Sequence, residues 1–200
     1  IVLPILFSEN DRLGGDFALA EALTNNGVII AQVGTTSTDK NAVPRGVARV
    51  GDVFPWLLQW PGMLGPIPML GKQAEGVGVL NTPVEIDGVV RRVPLIVNVN
   101  GETYPAIAIE VIRVATGNQS YQVKANEGGI EKVRVPGYPI INTDPNGQIW
   151  LRWNKQFQTI SASENDFTAF QGKTVIIGAT AEGIGAVSYT HLTLPTSLAV

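Results

Sequence analysis

The segment "IVLPILFSENDRLGGDFALAEALTNNGVIIAQVG", residues 1–34, decides the fold class because it holds two apolar runs with a helical pattern between them. The runs "IVLPILF" and "VIIAQVG" are typical of buried strands. Between them, "DFALAEALTNN" predicts a helix that is capped by Asp16. Strand, helix and strand at this short spacing predict a parallel crossover unit.

Two turn signals follow in the middle of the chain, each between runs rich in β-branched residues. They are Asp87-Gly88 and Asn100-Gly101, and both dipeptides favour two-residue hairpin turns. Pro94 lies in the run between them and cannot donate to a ladder, so we expect a sheet edge or a bulge there. The middle of the chain therefore predicts antiparallel hairpins.

A further helix is predicted over "YPAIAIEVIRVATG", residues 104–117, with Pro105 at its first helical position. Its only charged residues are Glu110 and Arg113, so we expect it to be buried against a sheet. A final strand is predicted over Thr174 to Ile177. The predicted fold class is α/β, a mixed sheet with parallel crossover strands and antiparallel hairpins, with helices packed on the sheet.

Composition limits the classes of partner and chemistry. The chain has 200 residues, of which 44% are hydrophobic and 16% charged, which is typical of one folded domain. A net charge of −3 provides no basic surface for nucleic acid. Because there is no cysteine, disulfides, thiolate nucleophiles and sulfur-ligated metals are excluded.

The uncharged segment "VFPWLLQWPGMLGPIPMLG", residues 53–71, is almost as long as the ~20 residues of a membrane-spanning helix. Its four prolines and three glycines argue against such a helix. We expect a loop that covers the core, with one helical turn near Pro68 to Ala74. The alternative is an exposed interaction surface built on Trp56 and Trp60, as in a dimerisation or structural module.

Four side chains are candidates for binding a ligand. Glu9 and Asp11 follow the first strand, where α/β sheets often place their sites. Arg91 and Arg92 follow the Asp87-Gly88 turn, and on a strand they point to opposite faces. Such an arginine either pairs with a carboxylate or clamps an anionic ligand through two hydrogen bonds.

No catalytic residue, metal or cofactor is predicted. The glycine-rich "GATAEGIG", residues 178–185, lacks the Lys-Ser/Thr pair of a phosphate-binding loop and does not fit G-x-G-x-x-G. We expect it to form a tight turn. A nucleotide-binding or hydrolytic enzyme that uses Glu9, Asp11 and this loop remains an alternative.

Four segments, in this order, resemble the CHASE domain of the second type, the cyclase/histidine-kinase-associated sensory extracellular domain. The most specific piece is "DGVVRRVPL", residues 87–95. The four segments are "LFSENDRLGGDFALAEAL", "GVGVLNTPVEIDGVVRRVPLIV", which contains that piece, "YPAIAIEVI" and "GKTVIIGATAEGIG".

The resemblance implies a bacterial sensory input domain that is not itself an enzyme. It implies a periplasmic location, between an N-terminal transmembrane helix and further helices leading to an adenylate cyclase, histidine kinase or protein kinase. Tethering to the membrane would then occur through flanking helices outside this sequence. The expected partner is an unidentified small molecule or periplasmic protein, and a homodimer remains open.

Both ends of the sequence depart from the family pattern. The family has another strand and a helix before the segment that matches Ile1, so residues 1–186 are predicted to be a partial sensory domain. From Val187 the chain reads "VSYTHLTLPT", which resembles the translation of a transposon-type sequencing adapter. Residues 187–200 are therefore expected to be a non-native tail, and His191, the only histidine, is expected to have no role.

Overall fold

The structure is a computed structural model, and it describes residues 1–36, 40–153, 158–163 and 167–178. Within these residues, three α-helices and thirteen strands form an α/β fold with mixed sheets, which confirms the predicted class. The helices are α1 (Asp16–Leu23), α2 (Pro68–Gln73) and α3 (Ile107–Ala115). The strands are β1 (Val2–Leu3), β2 (Ile29–Thr35), β3 (Val47–Val50), β4 (Leu58–Trp60), β5 (Gly62–Leu64), β6 (Gly76–Val79), β7 (Arg92–Pro94), β8 (Ile96–Val99), β9 (Glu102–Pro105), β10 (Tyr121–Asn126), β11 (Gly129–Arg134), β12 (Ile141–Asn142) and β13 (Gln148–Trp150).

The crossover unit is confirmed. β1 and β2 are parallel with α1 between them in the chain, and Val2 lies opposite Ile29. β6 pairs with the other side of β2 in parallel, and β5 pairs with the end of β2 in antiparallel fashion. In place of the predicted last strand, Ile176 forms a single parallel bridge to Val2.

The remaining strands of the described residues form three further sheets rather than one continuous sheet. One has the order β12-β11-β10-β3, in which only β3 and β10 are parallel. Another has the order β4-β8-β9, with β4 parallel to β8. The fourth is the antiparallel pair of β7 and β13.

The two turn signals have different outcomes. The Asn100-Gly101 turn joins β8 to β9 as predicted, with positive φ values of 51° and 82° that suit Asn and Gly in this type of turn. A turn also forms at Asp87-Gly88, but residues 81–85 before it form no strand, so the predicted hairpin there is wrong. Pro94 is the last residue of β7, where the chain passes from one sheet to the next.

The predicted helix starts were wrong in two places. Pro105 ends β9, and α3 begins only at Ile107, because β9 pairs with β8 alone and a proline is tolerated on such an edge strand. Asp16 is the first residue of α1 but makes no cap hydrogen bond to that helix, since its Oδ2 accepts from the backbone N–H of Asp11 at 2.9 Å.

Residues 53–71 form β4, β5 and the start of α2, so the segment has more regular structure than the predicted loop. The helical turn at Pro68 is confirmed. Trp56 and Trp60 are half-buried and pack on the core, in agreement with a covering role rather than an exposed surface. In the part of the chain that the structure describes, no helix combines the length and apolar character needed to cross a membrane.

The core consists of three apolar clusters. The largest surrounds β10 and β11, the second packs α1 and α2 on β2, and the third lies between β8 and β6. α3 approaches β6 closely at Gly78, where a Cβ atom would overlap the backbone of Ile107. This contact fixes α3 directly against the parallel sheet.

Candidate functional site

An open groove of about 600 Å³ lies beside β7. It is lined by residues 83–87, by Arg92 of β7 and by Gln148 of β13. Val84 and Ile86 expose large apolar side chains here. The groove therefore combines apolar surface with charged groups, as small-molecule sites commonly do.

Arg91 and Arg92 converge on one carboxylate in this region. Arg91 Nη1 lies 2.9 Å from Glu85 Oε2, and Arg92 Nε lies 3.2 Å from Glu85 Oε1. Arg91 also contacts Asp87 Oδ2 at 2.5 Å, and Arg92 Nη1 lies 3.6 Å from Asp144 Oδ2. The expectation that the two arginines point to opposite faces is wrong, because Arg91 precedes β7 and only Arg92 lies on the strand. We call these five residues the groove network.

The groove network holds three carboxylates for two guanidinium groups. Asp87 is the most exposed carboxylate, with 51% of its side chain accessible, against 29% for Glu85 and 18% for Asp144. Two hydrogen bonds hold the pKa of Asp87 below its ordinary value. The larger effect comes from the Arg91 side chain and the smaller one from the Val89 N–H. Both terminal nitrogens of Arg91 already donate to carboxylates, so an anionic ligand at Arg91 must displace one, and Asp87 is the one that water reaches best.

A tryptophan stacks on the groove network. The guanidinium carbon of Arg92 lies 5.5 Å from the centre of the Trp150 ring, a cation–π distance. The contact follows from the pairing of β13 with β7, in which Trp150 lies opposite Arg92. Trp150 keeps 66% of its surface exposed, so its ring borders the network from the solvent side.

Glu9 and Asp11 lie in the loop before α1, and the described residues show no ion pair between them and Arg91 or Arg92. The Asp11 carboxylate accepts backbone hydrogen bonds from Gly15 at 2.8 Å and Leu13 at 3.1 Å. These bonds lower the pKa of Asp11. Asp11 therefore shapes its own loop, and the four candidate residues do not form one site.

A second charged cluster is enclosed in the core. The Glu110 carboxylate and the Arg113 guanidinium, both on α3, are joined by hydrogen bonds of 2.8 and 2.9 Å, with 0% and 2% of their surface exposed. Arg113 also donates to the backbone oxygens of Glu75 and Asn118, at 2.6 and 2.8 Å. Glu110 Oε2 accepts from the backbone N–H of Val77 at 3.2 Å. We call Glu110 and Arg113 the buried pair; it ties α3 to β6.

The surroundings of the buried pair are polar but closed. Arg45 Nε lies 3.6 Å from Glu110 Oε2 and adds a second positive charge at 27% side-chain exposure. The core also encloses the hydroxyl of Tyr121, and burial raises the pKa of that phenol. The buried pair hydrogen-bonds to the backbone at Glu75, Val77 and Asn118, and these contacts hold α3 against the start of β6.

Similarity to a known domain family extends over nearly the whole chain. The family model for the CHASE2 domain matches residues 1–198. The chain belongs to the CHASE2 domain family. CHASE2 domains are extracellular sensory domains of signalling proteins and are not catalytic, which confirms the resemblance seen in the sequence. No curated protein and no solved structure matches the chain.

Two predictions for this CHASE2 domain lie outside the described residues. The "GATAEGIG" turn is described only at Gly178, and His191 falls within residues 179–200. The boundary at residue 186 and the non-native tail therefore stay predictions. Among the residues that the structure does describe, no group of three or more His, Cys, Asp or Glu side chains could hold a metal ion.

Sequence reasoning missed most of the partners of the two arginines in this CHASE2 domain. It selected Arg91 and Arg92 but not Glu85, Asp144 or Trp150. Glu85 lies two residues before Asp87, so the turn signal could have indicated it as a partner. Asp144 and Trp150 reach the network only because β13 pairs with β7, and no local pattern specifies that register.

Proposed function

We propose that this CHASE2 domain is the input domain of a bacterial membrane-bound signalling protein, on the periplasmic side of the inner membrane. In this proposal it is tethered by flanking helices, and its output is an adenylate cyclase, a histidine kinase or a protein kinase. The match to the CHASE2 family over residues 1–198 carries the proposal. The intact gene is then expected to encode apolar spans of ~20 residues on both sides of the domain.

The proposed ligand is a small carboxylate that binds at the Asp87 side of the groove and exchanges with Asp87 at Arg91, which contacts the groove residues Glu85 and Asp87 from behind the lining. Arg91 already holds Asp87 through two hydrogen bonds, the geometry that a ligand carboxylate would copy. Asp87 is half exposed, so its release returns a carboxylate to water at small cost. Exchange would release the Asp87 side chain from Arg91, while the backbone hydrogen bond from the Glu85 N–H to the Val89 carbonyl oxygen still closes the turn.

Titration calorimetry with acetate, succinate and citrate tests the exchange. Arg91→Met is expected to weaken binding about tenfold or more, since it removes the two-pronged donor. Asp87→Asn is expected to tighten binding, because it weakens the internal competitor while leaving Arg91 in place. Arg134→Met, an exposed arginine on β11, is the matched control and should bind as the unmodified chain does.

The Asp87→Asn result decides the mechanism. Weaker binding in that variant would mean that Asp87 helps to hold the ligand, and the exchange would be wrong. If none of the three acids binds, the groove is not a carboxylate site. The sensory role is tested separately, in the full-length protein, by whether cyclase or kinase output changes with the acid that binds. The identity of the natural ligand and a homodimeric state stay predictions.

A further inference from the structure

A second, smaller pocket lies at the end of β4 and β8, with a volume of about 280 Å³. The described residues that line it carry no charge, and three of them have side-chain amides. They are Gln59, Trp60, Pro61, Asn98, Asn100 and Gly101. We call this space the amide pocket. Its lining differs in kind from that of the groove, which includes the charged side chains of Glu85, Asp87 and Arg92.

Asn98 is the buried centre of the amide pocket. It lies on β8 between Val97 and Val99, and only 7% of its surface is exposed. In the sheet it pairs with Gln59 of β4 on one side and with Thr103 of β9 on the other. Because paired residues share a face, these three polar side chains form one row across the sheet. A polar row at this depth is unusual, since the neighbouring positions of β8 are apolar.

The amides have hydrogen-bonding capacity to spare. Asn98 Oδ1 accepts from the Gly101 N–H at 3.0 Å, whereas its Nδ2 donates to none of the described residues. The Asn100 amide reaches Pro61 O, and the Gln59 amide reaches Phe54 O, both only at 3.4 Å. Such distances are long for N–H···O bonds, so a ligand could replace both. The buried indole Nε1–H of Trp60, which also lines the pocket, has no hydrogen-bond partner among the described residues and calls for one.

We propose that the amide pocket binds a small, neutral, hydroxylated molecule such as a monosaccharide or a polyol. Each carboxamide offers a donor and an acceptor, and a hydroxyl group can satisfy both at once. An ionic ligand would lose its hydration here without meeting an opposite charge. The volume lies just below the ~300 Å³ at which typical ligand pockets begin, so the ligand is small. This site goes beyond the proposed function and does not depend on the exchange at Arg91.

Two variants remove pocket amides without disturbing the core. Asn100→Gly deletes an amide but keeps the turn, because glycine accepts the φ of 51° at this position. Gln59→Ala removes an exposed side chain from β4. Asn25→Gly is the matched control, since Asn25 is also exposed and has a φ of 58°, but lies outside the pocket.

The test is an NMR titration of the full 200-residue chain with glycerol, D-glucose, D-galactose and D-mannose. At least one probe should cause saturable shifts of the Asn98 side-chain amide and the Gly101 backbone amide. The affinity for that probe should fall about fivefold or more in Asn100→Gly and in Gln59→Ala, and stay unchanged in Asn25→Gly. Acetate should not shift these two signals, and this result would distinguish binding in the amide pocket from binding at the groove.

Two results would overturn the proposal. One is the absence of saturable shifts at Asn98 and Gly101 with every probe up to about 100 mM, where even a Kd of about 10 mM approaches saturation. The other is equal affinity in the unmodified chain and in both pocket variants. Neither result bears on whether the groove exchanges Asp87 for a carboxylate.

Discussion

The buried pair and the groove network use the same chemistry in opposite surroundings. In both, arginine meets glutamate at about 3 Å, as between Arg113 and Glu110 and between Arg91 and Glu85. Arg113 and Glu110 are enclosed in the core, whereas the Arg91 and Glu85 side chains keep 39% and 29% of their surface exposed. Water therefore competes for one set of charges and is excluded from the other.

This difference separates a structural device from an exchangeable one. A buried charge that loses its partner cannot be solvated, so the Glu110–Arg113 contact is costly to break. An exposed pair is worth little, because water and salt replace the lost contact. A ligand can compete for an arginine only in the second situation, which is why the ligand is proposed to bind at Arg91 rather than at Arg113.

The largest effect is expected when one member of the buried pair is removed. Glu110→Ala leaves Arg113 charged and enclosed, and should lower the free energy of unfolding by about 3–5 kcal/mol. Urea unfolding followed by circular dichroism measures this loss. Glu102→Ala, an exposed glutamate on β9, serves as the control and should cost less than about 0.5 kcal/mol.

A double variant sharpens the same point. Glu110→Leu combined with Arg113→Met removes both charges, and should recover a large part of the stability lost in Glu110→Ala. Recovery will be incomplete, because the carbonyl oxygens of Glu75 and Asn118 lose the donor that Arg113 provides. If Glu110→Ala costs no more than Glu102→Ala, the buried pair does not hold α3 in place.

Local sequence predicted much of the fold but little of either charged cluster. The parallel unit of β1, α1 and β2 and the Asn100-Gly101 hairpin depend on neighbouring residues, and both were predicted. The sequence did not predict that β9 ends at Pro105. A proline is tolerated in this strand only because β9 lies at the edge of its sheet. That status is set by the arrangement of distant strands and leaves no local pattern.

The candidate sites show the same limit. Arg91 was selected from its place after a turn, but its partners depend on how residues 83–89 fold back. For α3, the sequence indicated a buried helix with only two charged residues, and the structure encloses both of them. A spacing of three residues allows Glu110 and Arg113 to pair, yet surface helices carry the same spacing. The acceptors at Glu75 and Asn118 decide the burial, and only the folded chain brings them together.

A smaller effect is expected in the groove. Arg92→Met removes contacts to Glu85 and Asp144 and the cation–π contact with Trp150, while keeping the aliphatic stem. The free energy of unfolding should fall by about 1 kcal/mol, since the side chain is one-third exposed. Urea unfolding measures it against Arg134→Met, which should show almost no change. A loss as large as that of Glu110→Ala would remove the distinction between the two clusters.

The two clusters should also differ in how strongly salt changes the stability lost on mutation. The cost of Arg92→Met should shrink between about 0.05 M and about 1 M sodium chloride, because the Debye length falls from more than 10 Å to about 3 Å. The cost of Glu110→Ala should stay nearly constant, since ions cannot reach the buried pair. Repeating the urea series at both salt concentrations checks the two trends. Equal salt dependence would indicate that water also reaches Glu110.

The smallest effect concerns acid. The folded-state pKa of Asp87 lies below its unfolded value of about 3.9, because its carboxylate is stabilised by Arg91 and the Val89 N–H. Its contribution to stability is therefore present above about pH 4 and is lost as the pH falls through the folded pKa. The melting temperature should fall more steeply between pH 5 and pH 3 in the unmodified chain than in Asp87→Asn.

Asp11→Asn should also flatten the curve, but without any effect on acetate, succinate or citrate binding, because the Asp11 carboxylate bonds only to its own loop. Identical curves for the unmodified chain and Asp87→Asn would mean that Arg91 holds Asp87 too weakly for the proposed exchange to matter.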